Sequence, residues 1–371
     1  MKVVFRVDAS LQMGSGHLMR CLTLAEALRA KGAQCHFISR AHPGHLTELI
    51  RQRNFTVTTL PPELPSLGAI ATATTGNAKR PAHASWLGCD WPTDAAQTRA
   101  IVERLQPDWL VVDHYALDRQ WEAAIRPHCR KLIIIDDLAD RVHQCDLLLD
   151  QNLGRQSQDY ASLVPVQCKL LTGPQYALLR PEFAALRPYS LQRRQQPVLK
   201  RLLVTMGGVD QPDATGQVLQ ALKGCVLSQD CRISVIMGLQ APWLQQVRAQ
   251  AQDMPWPTEV LVNINDMAQR MADSDLAIGA AGSTSWERCC LGLPALIVIL
   301  ADNQRPGAQA LQEVQAALLI GDVKDIAIQL PPTINALASS DGLQEMSTAA
   351  AKITIGLGVK EVLQALGGIN D

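Results

Sequence analysis

Three groups of residues in this chain have types and spacings suited to chemistry. The first is Gly14-Ser15-Gly16-His17, placed after the β-rich run Val3–Val7 and before a helical pattern. It sets an imidazole among the free N–H groups of a helix start, where anions are favoured. Imidazole titrates near neutrality, so His17 is a candidate general base; a helix-capping or solvent-facing histidine is the other reading. The second group is the acids that end apolar runs: Asp113 after Trp109–Val112, Asp136 and Asp137 after Leu132–Ile135, and Asp150 after Leu147–Leu149. Such carboxylates can bind a divalent cation, but more commonly cap helices or bind loop amides, and no metal is expected here. The third is Gly279-Ala280-Ala281-Gly282-Ser283-Thr284-Ser285-Trp286-Glu287. A strand ends there in a loop of small residues. Ser283 or Thr284 can cap the next helix, whose first N–H groups suit a diphosphate. Glu287, one turn in, can take two ribose hydroxyls, although Thr284 and Glu287 also have capping-box spacing.

Weaker signals accompany these. Gly207 and Gly208 follow a strand and let the backbone approach a ligand, or simply turn. Asn303 and Gln304 follow the apolar strand Ala295–Leu300. The glycines near His17 fail as a dinucleotide fingerprint, because Met19 stands at the third glycine position and no acid follows Ile38-Ser39-Arg40. Trp86, Trp91 and Trp109 could face a sugar ring, but core packing is the expectation for each.

The elements that must position these residues alternate between strand and helix patterns, which predicts parallel α/β architecture. Strands are expected at 2–7, 35–39, 55–59, 109–113, 131–136 and 146–149, then near 200–206, 232–237, 259–263, 275–279 and 295–299. A helix from Leu18 to about Ala30 carries apolar residues at 18, 21, 22, 25 and 28 on one face, and Lys31-Gly32 ends it. The polar, basic stretch 187–197 reads as a linker, giving domains at 1–190 and 198–342 and a helical segment at 343–371 that packs back across the linker. Residues 61–85, rich in Pro, Ala, Thr and Gly, read as a surface insertion. Two Rossmann-like halves facing a central cleft would bring ligands to the carboxyl ends of the strands.

A chain of 371 residues exceeds one ordinary core, and 47% hydrophobic against 19% charged residues is a globular balance. The net charge of -1 offers no bulk attraction to nucleic acid or an anionic membrane. Ten cysteines without a C-x-x-C pair fit free thiols in a reducing compartment. The N-terminus lacks a signal-peptide layout and no apolar run reaches ~18 residues, so a cytoplasmic protein is expected.

Longer motifs carry a resemblance. They are Arg6–Ser10 with Gly14–Leu22, then Asp108–Tyr115, Ile135–Arg141, Asp150–Gly154, Gly173–Phe183 and Gly282–Glu287. Over most of its length the chain resembles the UDP-2,4-diacetamido-2,4,6-trideoxy-β-L-altropyranose hydrolases of pseudaminic acid biosynthesis. The resemblance implies a GT-B fold and inverting attack of water on the anomeric carbon, with UDP leaving and no cofactor. It implies a small-molecule UDP-sugar as the partner. His17 matches the catalytic base. Asp8, Gly14, Gly16, Tyr115, Asn303 and Gln304 fall to the substrate, and Gly207, Gly208, Gly282, Ser283, Thr284 and Glu287 to UDP. Either Asp8 or Asp113 would orient His17. Ala281, Val209 and Asp213 depart from the usual glycine, threonine and asparagine. A UDP-sugar glycosyltransferase of the same fold, and a non-catalytic nucleotide-sugar sensor, are the competing readings.

Overall fold

The computed structural model describes residues 1–62, 81–239, 241–338 and 341–367, so most of the 61–85 segment lies outside the described residues. The chain divides into two compact units. The first comprises Met1–Gln151, Arg155–Thr172 and the stretch from Val362; the second comprises Asn152–Gly154 and Gly173–Glu361.

The first unit is built on strands β1 (Lys2–Val7), β2 (Gln34–Arg40), β3 (Thr56–Leu60), β4 (Trp109–Asp113), β5 (Lys131–Ile135), β6 (Leu147–Asp150) and β7 (Lys169–Thr172). Helices α1 (Gly16–Ala30), α2 (Thr47–Gln52), α3 (Trp91–Leu105) and α4 (Arg119–Ile125) connect them. All pairings are parallel, in the order β3-β2-β1-β4-β5-β6-β7. A parallel sheet covered on both faces calls for unbroken apolar strands. Val3, Val4 and Phe5, Leu110–Val112, Leu132–Ile135 and Leu147–Leu149 are accordingly buried. Chain order reverses between β1 and β4, and in such sheets ligands bind where the order reverses, beyond the carboxyl ends. Val7 pairs with Asp113 at that end.

The second unit repeats the plan with β8 (Arg201–Thr205), β9 (Arg232–Met237), β10 (Thr258–Val262), β11 (Leu276–Ala280), β12 (Ala295–Ile299) and β13 (Leu318–Asp322). Its helices are α5 (Pro181–Arg193), α6 (Ala214–Leu222), α7 (Leu244–Gln252), α8 (Met267–Asp273), α9 (Thr284–Cys290), α10 (Arg305–Glu313), α11 (Ile326–Ala338) and α12 (Gly342–Ala351); a last helix, α13, spans Gly358–Ala365. The order is β10-β9-β8-β11-β12-β13, again all parallel, with the reversal between β8 and β11.

Two strands escape the sequence pattern. β7 and β13 are both sheet edges, mostly half-buried, and each is followed by polar turns. An edge strand has one neighbour and needs no continuous apolar run. The stretch 187–197 holds the second half of α5: Arg187 Nη1 donates to the carbonyl of Cys290 (2.5 Å), Ser190 Oγ to that of Leu291 (2.7 Å), and the buried Arg194 to Met271 and Ser274 (3.0 and 2.9 Å). Its basic residues answer carbonyls of the second unit, which composition cannot distinguish from solvation.

Candidate functional site

In the first unit the carboxyl ends of β1, β4 and β5 gather the site residues. The Ser10–Gly14 turn closes on itself: Gly14 N–H donates to the Ser10 carbonyl (2.9 Å), and Ser10 Oγ accepts from Met13 N (2.9 Å). Gly14 has φ +74°, a left-handed conformation that suits glycine. The turn delivers the chain into α1, which starts at Gly16, so His17 lies in the first helical turn.

His17 Nδ1 lies 2.6 Å from Asp113 Oδ1, and the ring is 12% exposed. Asp113 is fully buried. Burial alone would raise its carboxyl, but Arg20 and then His17 outweigh that and hold it well below the ordinary range. An ionised carboxylate only accepts, so Nδ1 carries the proton and donates. Nε2 is then the nitrogen available for proton transfer. Arg20 clamps the same carboxylate through Nε (2.6 Å) and Nη2 (2.7 Å), and reaches Asp137 Oδ2 at 2.8 Å. Tyr115 Oη donates to Asp137 (2.6 Å), and its ring meets His17 edge to face at 4.5 Å between centroids. His17, Arg20 and Tyr115 are thus fixed by two acids from neighbouring strand ends.

Two substrate assignments change. Asp8 is buried at 1% exposure, with oxygens taken by Arg6 Nη1 (2.6 Å), Arg40 N–H (2.7 Å), His114 Nε2 (3.2 Å) and His42 Nε2 (3.3 Å). It neither orients His17 nor faces solvent. It belongs to a buried ion network in which Asp94 binds Arg6 (2.6 Å), Arg40 (2.7 Å) and Trp121 Nε1 (3.0 Å). Tyr115 is buried with its hydroxyl committed, so it backs the histidine instead of offering a free hydroxyl. The other strand-end acids are answered by protein groups as well. Asp136 takes Arg141 (2.7 Å) and Tyr160 (2.9 Å), and Asp150 takes Arg155 (2.6 Å) and Tyr160 (2.8 Å). Among the described residues no His, Cys, Asp and Glu cluster has the arrangement of a metal site.

In the second unit the loops after β8 and β11 adjoin the reversal. Gly207 turns with φ +89°. The Gly208 carbonyl lies against Gly238, leaving no space for a Cβ at 238, a packing requirement the sequence does not reveal. Asp210 caps α6 through Ala214 N–H (2.9 Å) and Thr215 N–H (2.8 Å). Asp213 has φ +56° and caps Gly216 N–H (3.2 Å). That backbone favours Asn or Asp, so the aspartate departure keeps the local geometry. After β11, α9 starts at Thr284 with Ser283 at the cap position, and neither the Ser283 cap bond nor a Thr284–Glu287 box forms. Gly282 and Ser283 amides donate to no protein acceptor among the described residues, whereas Ser285 and Trp286 amides bond back to Gly282 and Ser283. Ala281 packs its methyl onto the apolar core.

Arg288, which sequence reasoning missed, lies buried at 1% exposure behind this loop. Its Nη2 donates to the Ala280 carbonyl (2.8 Å) and Ser285 Oγ (2.9 Å), while Nε and Nη1 have no protein partner. A Cβ on Gly279 would come within 2.5 Å of Nη1, so the glycine makes room for the cation. Burial pushes this guanidinium down to about 10. Glu287, half-buried beside it, is pushed up to about 7 by burial, against the pull of Arg180 and Arg288. Gln304 Oε1 accepts from Leu300 N–H (3.1 Å) and braces the turn after β12, where Asn303 is exposed.

Glu287 carries a pH consequence. Its folded value lies above its ordinary 4.5, so the folded state holds the extra proton. The stabilisation is complete below about pH 4.5 and is lost as pH rises through about 7. Glu287→Gln should therefore gain stability relative to the parent between pH 5 and pH 8.5. Urea midpoints at the two pH values check this; an unchanged difference would refute the shift.

Residues 201–362 match the family model described as the glycosyltransferase family 28 C-terminal domain. An uncharacterized protein of Methanocaldococcus jannaschii is 23% identical over 82% of this chain and 57% of its own length. The spore coat polysaccharide biosynthesis protein SpsG of Bacillus subtilis is 31% identical over 44% of this chain and 48% of its own. The chain thus spans about half the length of these two relatives. The UDP-2,4-diacetamido-2,4,6-trideoxy-β-L-altropyranose hydrolase of Campylobacter jejuni is 23% identical over 83% of this chain and 95% of its own. Among solved structures, MurG of Acinetobacter baumannii superposes with a TM-score of 0.68 at 18% identity, covering 98% of this chain and 99% of that one. The fold is GT-B, with two parallel-sheet α/β domains of seven and six strands. Among the described residues no helix is long and apolar enough to cross a membrane.

Proposed function

We propose that this chain hydrolyses UDP-2,4-diacetamido-2,4,6-trideoxy-β-L-altropyranose, releasing UDP and the free sugar for pseudaminic acid biosynthesis in the cytoplasm. The observation that carries the reading is the His17–Asp113 pair at 2.6 Å, at the reversal point of the first sheet. Nε2 takes a proton from water, and the water oxygen forms the new bond to the anomeric carbon as the bond to UDP breaks. The leaving electron pair stays on the diphosphate, so no separate acid is required where amides and a cation meet that charge. Gly282, Ser283 and Thr284 contribute the amides, Arg288 the buried cation, and Glu287 the ribose contact. Gly207 and Gly208 leave room for the nucleotide, Gly14 and Gly16 for the sugar and water, and Asn303 and Gln304 border the substrate. Attack opposite the leaving group inverts the anomeric carbon.

Transfer to an acceptor is the second reading, favoured by the glycosyltransferase name of the matched domain family. Proton NMR of the reaction with this UDP-sugar alone decides. Release of UDP and free sugar, with the inverted anomer first, supports hydrolysis. Release only after an acceptor is added transfers the assignment to the second reading, and first appearance of the retained anomer removes direct attack by water.

A further inference from the structure

One aromatic group of the first unit has no role in the mechanism above. Trp86 lies in a short 3₁₀ turn, Ala84–Leu87, that follows His83. Its ring stacks toward Tyr115 at 5.8 Å and 25°, His83 lies 4.3 Å from Trp86 and 5.5 Å from Tyr115, and Tyr115 meets His17 at 4.5 Å. Tyr115 is the buried hub; His17, His83 and Trp86 around it are all partly exposed. Core packing was the expectation for three tryptophans, and it describes Trp109, at 5% exposure with Nε1 donating to the Leu366 carbonyl (3.1 Å). Trp86 instead leaves part of its ring open, on the Tyr115 ring that also meets His17.

The turn is held in place. Leu87 is in the core, Gly88 adopts φ +72° with the His42 ring 2.7 Å from where a Cβ would stand, and Asp90 caps α3 through Thr93 N–H (2.9 Å). A fixed, partly exposed pair of rings next to a histidine base is a recognition surface for the apolar parts of what that base acts on. Ring faces carry negative quadrupole charge and attract polarised C–H groups, whereas a hydroxyl stacked there loses its hydrogen bonds to water.

We propose that Trp86 and His83 form the wall that selects a deoxygenated, acetamido-bearing hexose, contacting its C6 methyl and N-acetyl methyl groups. The proposal rests on the reading of His17 as the base of a sugar site. Methyl-for-hydroxyl discrimination by such a wall is worth roughly 10–100-fold in kcat/KM.

Saturation-transfer NMR on the full chain, with free 2,4-diacetamido-2,4,6-trideoxyaltrose as the probe, tests the wall without needing turnover. The C6 and acetamido methyl protons should take the strongest saturation. Trp86→Ala should abolish that pattern, and Trp86→Phe should restore most of it. In parallel, Trp86→Ala should bring kcat/KM for the UDP-diacetamido sugar and for its 6-hydroxy analogue of the same ring configuration within about threefold of each other, from the roughly 10–100-fold gap of the parent. An epitope map identical in the parent and Trp86→Ala, or absent from both, overturns the proposal, as does Trp86→Phe behaving like alanine. A preserved map in a parent that releases no UDP removes the hydrolase reading and leaves the wall standing.

Discussion

His17→Ala should lower kcat for UDP-sugar hydrolysis by roughly 10²–10⁴-fold, with UDP affinity unchanged within about twofold. The size follows from what the ring supplies. Water is a poor nucleophile until its proton is accepted, and a positioned base contributes both that acceptor and the direction of attack. The binding prediction follows from placement: His17 lies in the first unit, while the loop assigned to UDP and Glu287 lie in the second. Asp113 keeps its two bonds from Arg20 when the ring is lost, so the buried carboxylate stays paired and the fold is retained. Single-turnover rates and calorimetric titration of UDP check the two halves. A variant with parental turnover would exclude this imidazole as the base.

Asp113→Asn should cost both activity and stability. The carboxylate fixes the proton on His17 Nδ1; an amide can present its NH₂ to that nitrogen and move the proton to Nε2, where it blocks base catalysis. A loss of roughly 10²–10⁴-fold in kcat follows, comparable with removing the imidazole. Arg20 meanwhile loses the bidentate partner that compensates its burial. Breaking one side of a buried pair costs about 3–5 kcal/mol. The sign with pH is definite. Arg20 and His17 hold the folded carboxyl below its ordinary 3.8, so its stabilisation is present above about pH 3.8 and is lost as pH falls through the folded value. Urea unfolding should show the full penalty at pH 7 and a shrinking one below about pH 4. A penalty that persists undiminished at low pH would mean that packing, not charge, is lost.

How much of this was legible in the sequence depends on the range of each interaction. Unbroken apolar strands such as Ile133–Ile135, and the glycines ahead of His17, announce themselves within a few residues, and the parallel α/β reading rests on them. Asp113 stood out as a strand-end acid, but its choice over Asp8 is made across 96 residues, by which strand ends adjoin His17. Arg6 sits in a central strand because Asp94, 88 residues away, meets it there. Arg288 looks like any helical arginine until Gly279 is seen to leave space for it. Trp86 would pass for core by residue type alone; only the fixed turn beneath it keeps its ring at the surface.

The position of β1 inside its sheet, between β2 and β4, also sets a timetable. As the chain leaves the ribosome, β1 and β2 emerge first, carrying Arg6 and Arg40, with Asp8 between them in sequence. Asp94 and the neighbouring strand β4 come only with later synthesis, roughly 3–15 s afterwards at ~5–20 residues per second. Until then β1 has one open side, and Arg6 lacks its Asp94 partner. The hydrogen bond between His17 and Asp113 can therefore form only after β4 has been made, so the pair waits on the strand that covers the open side of β1.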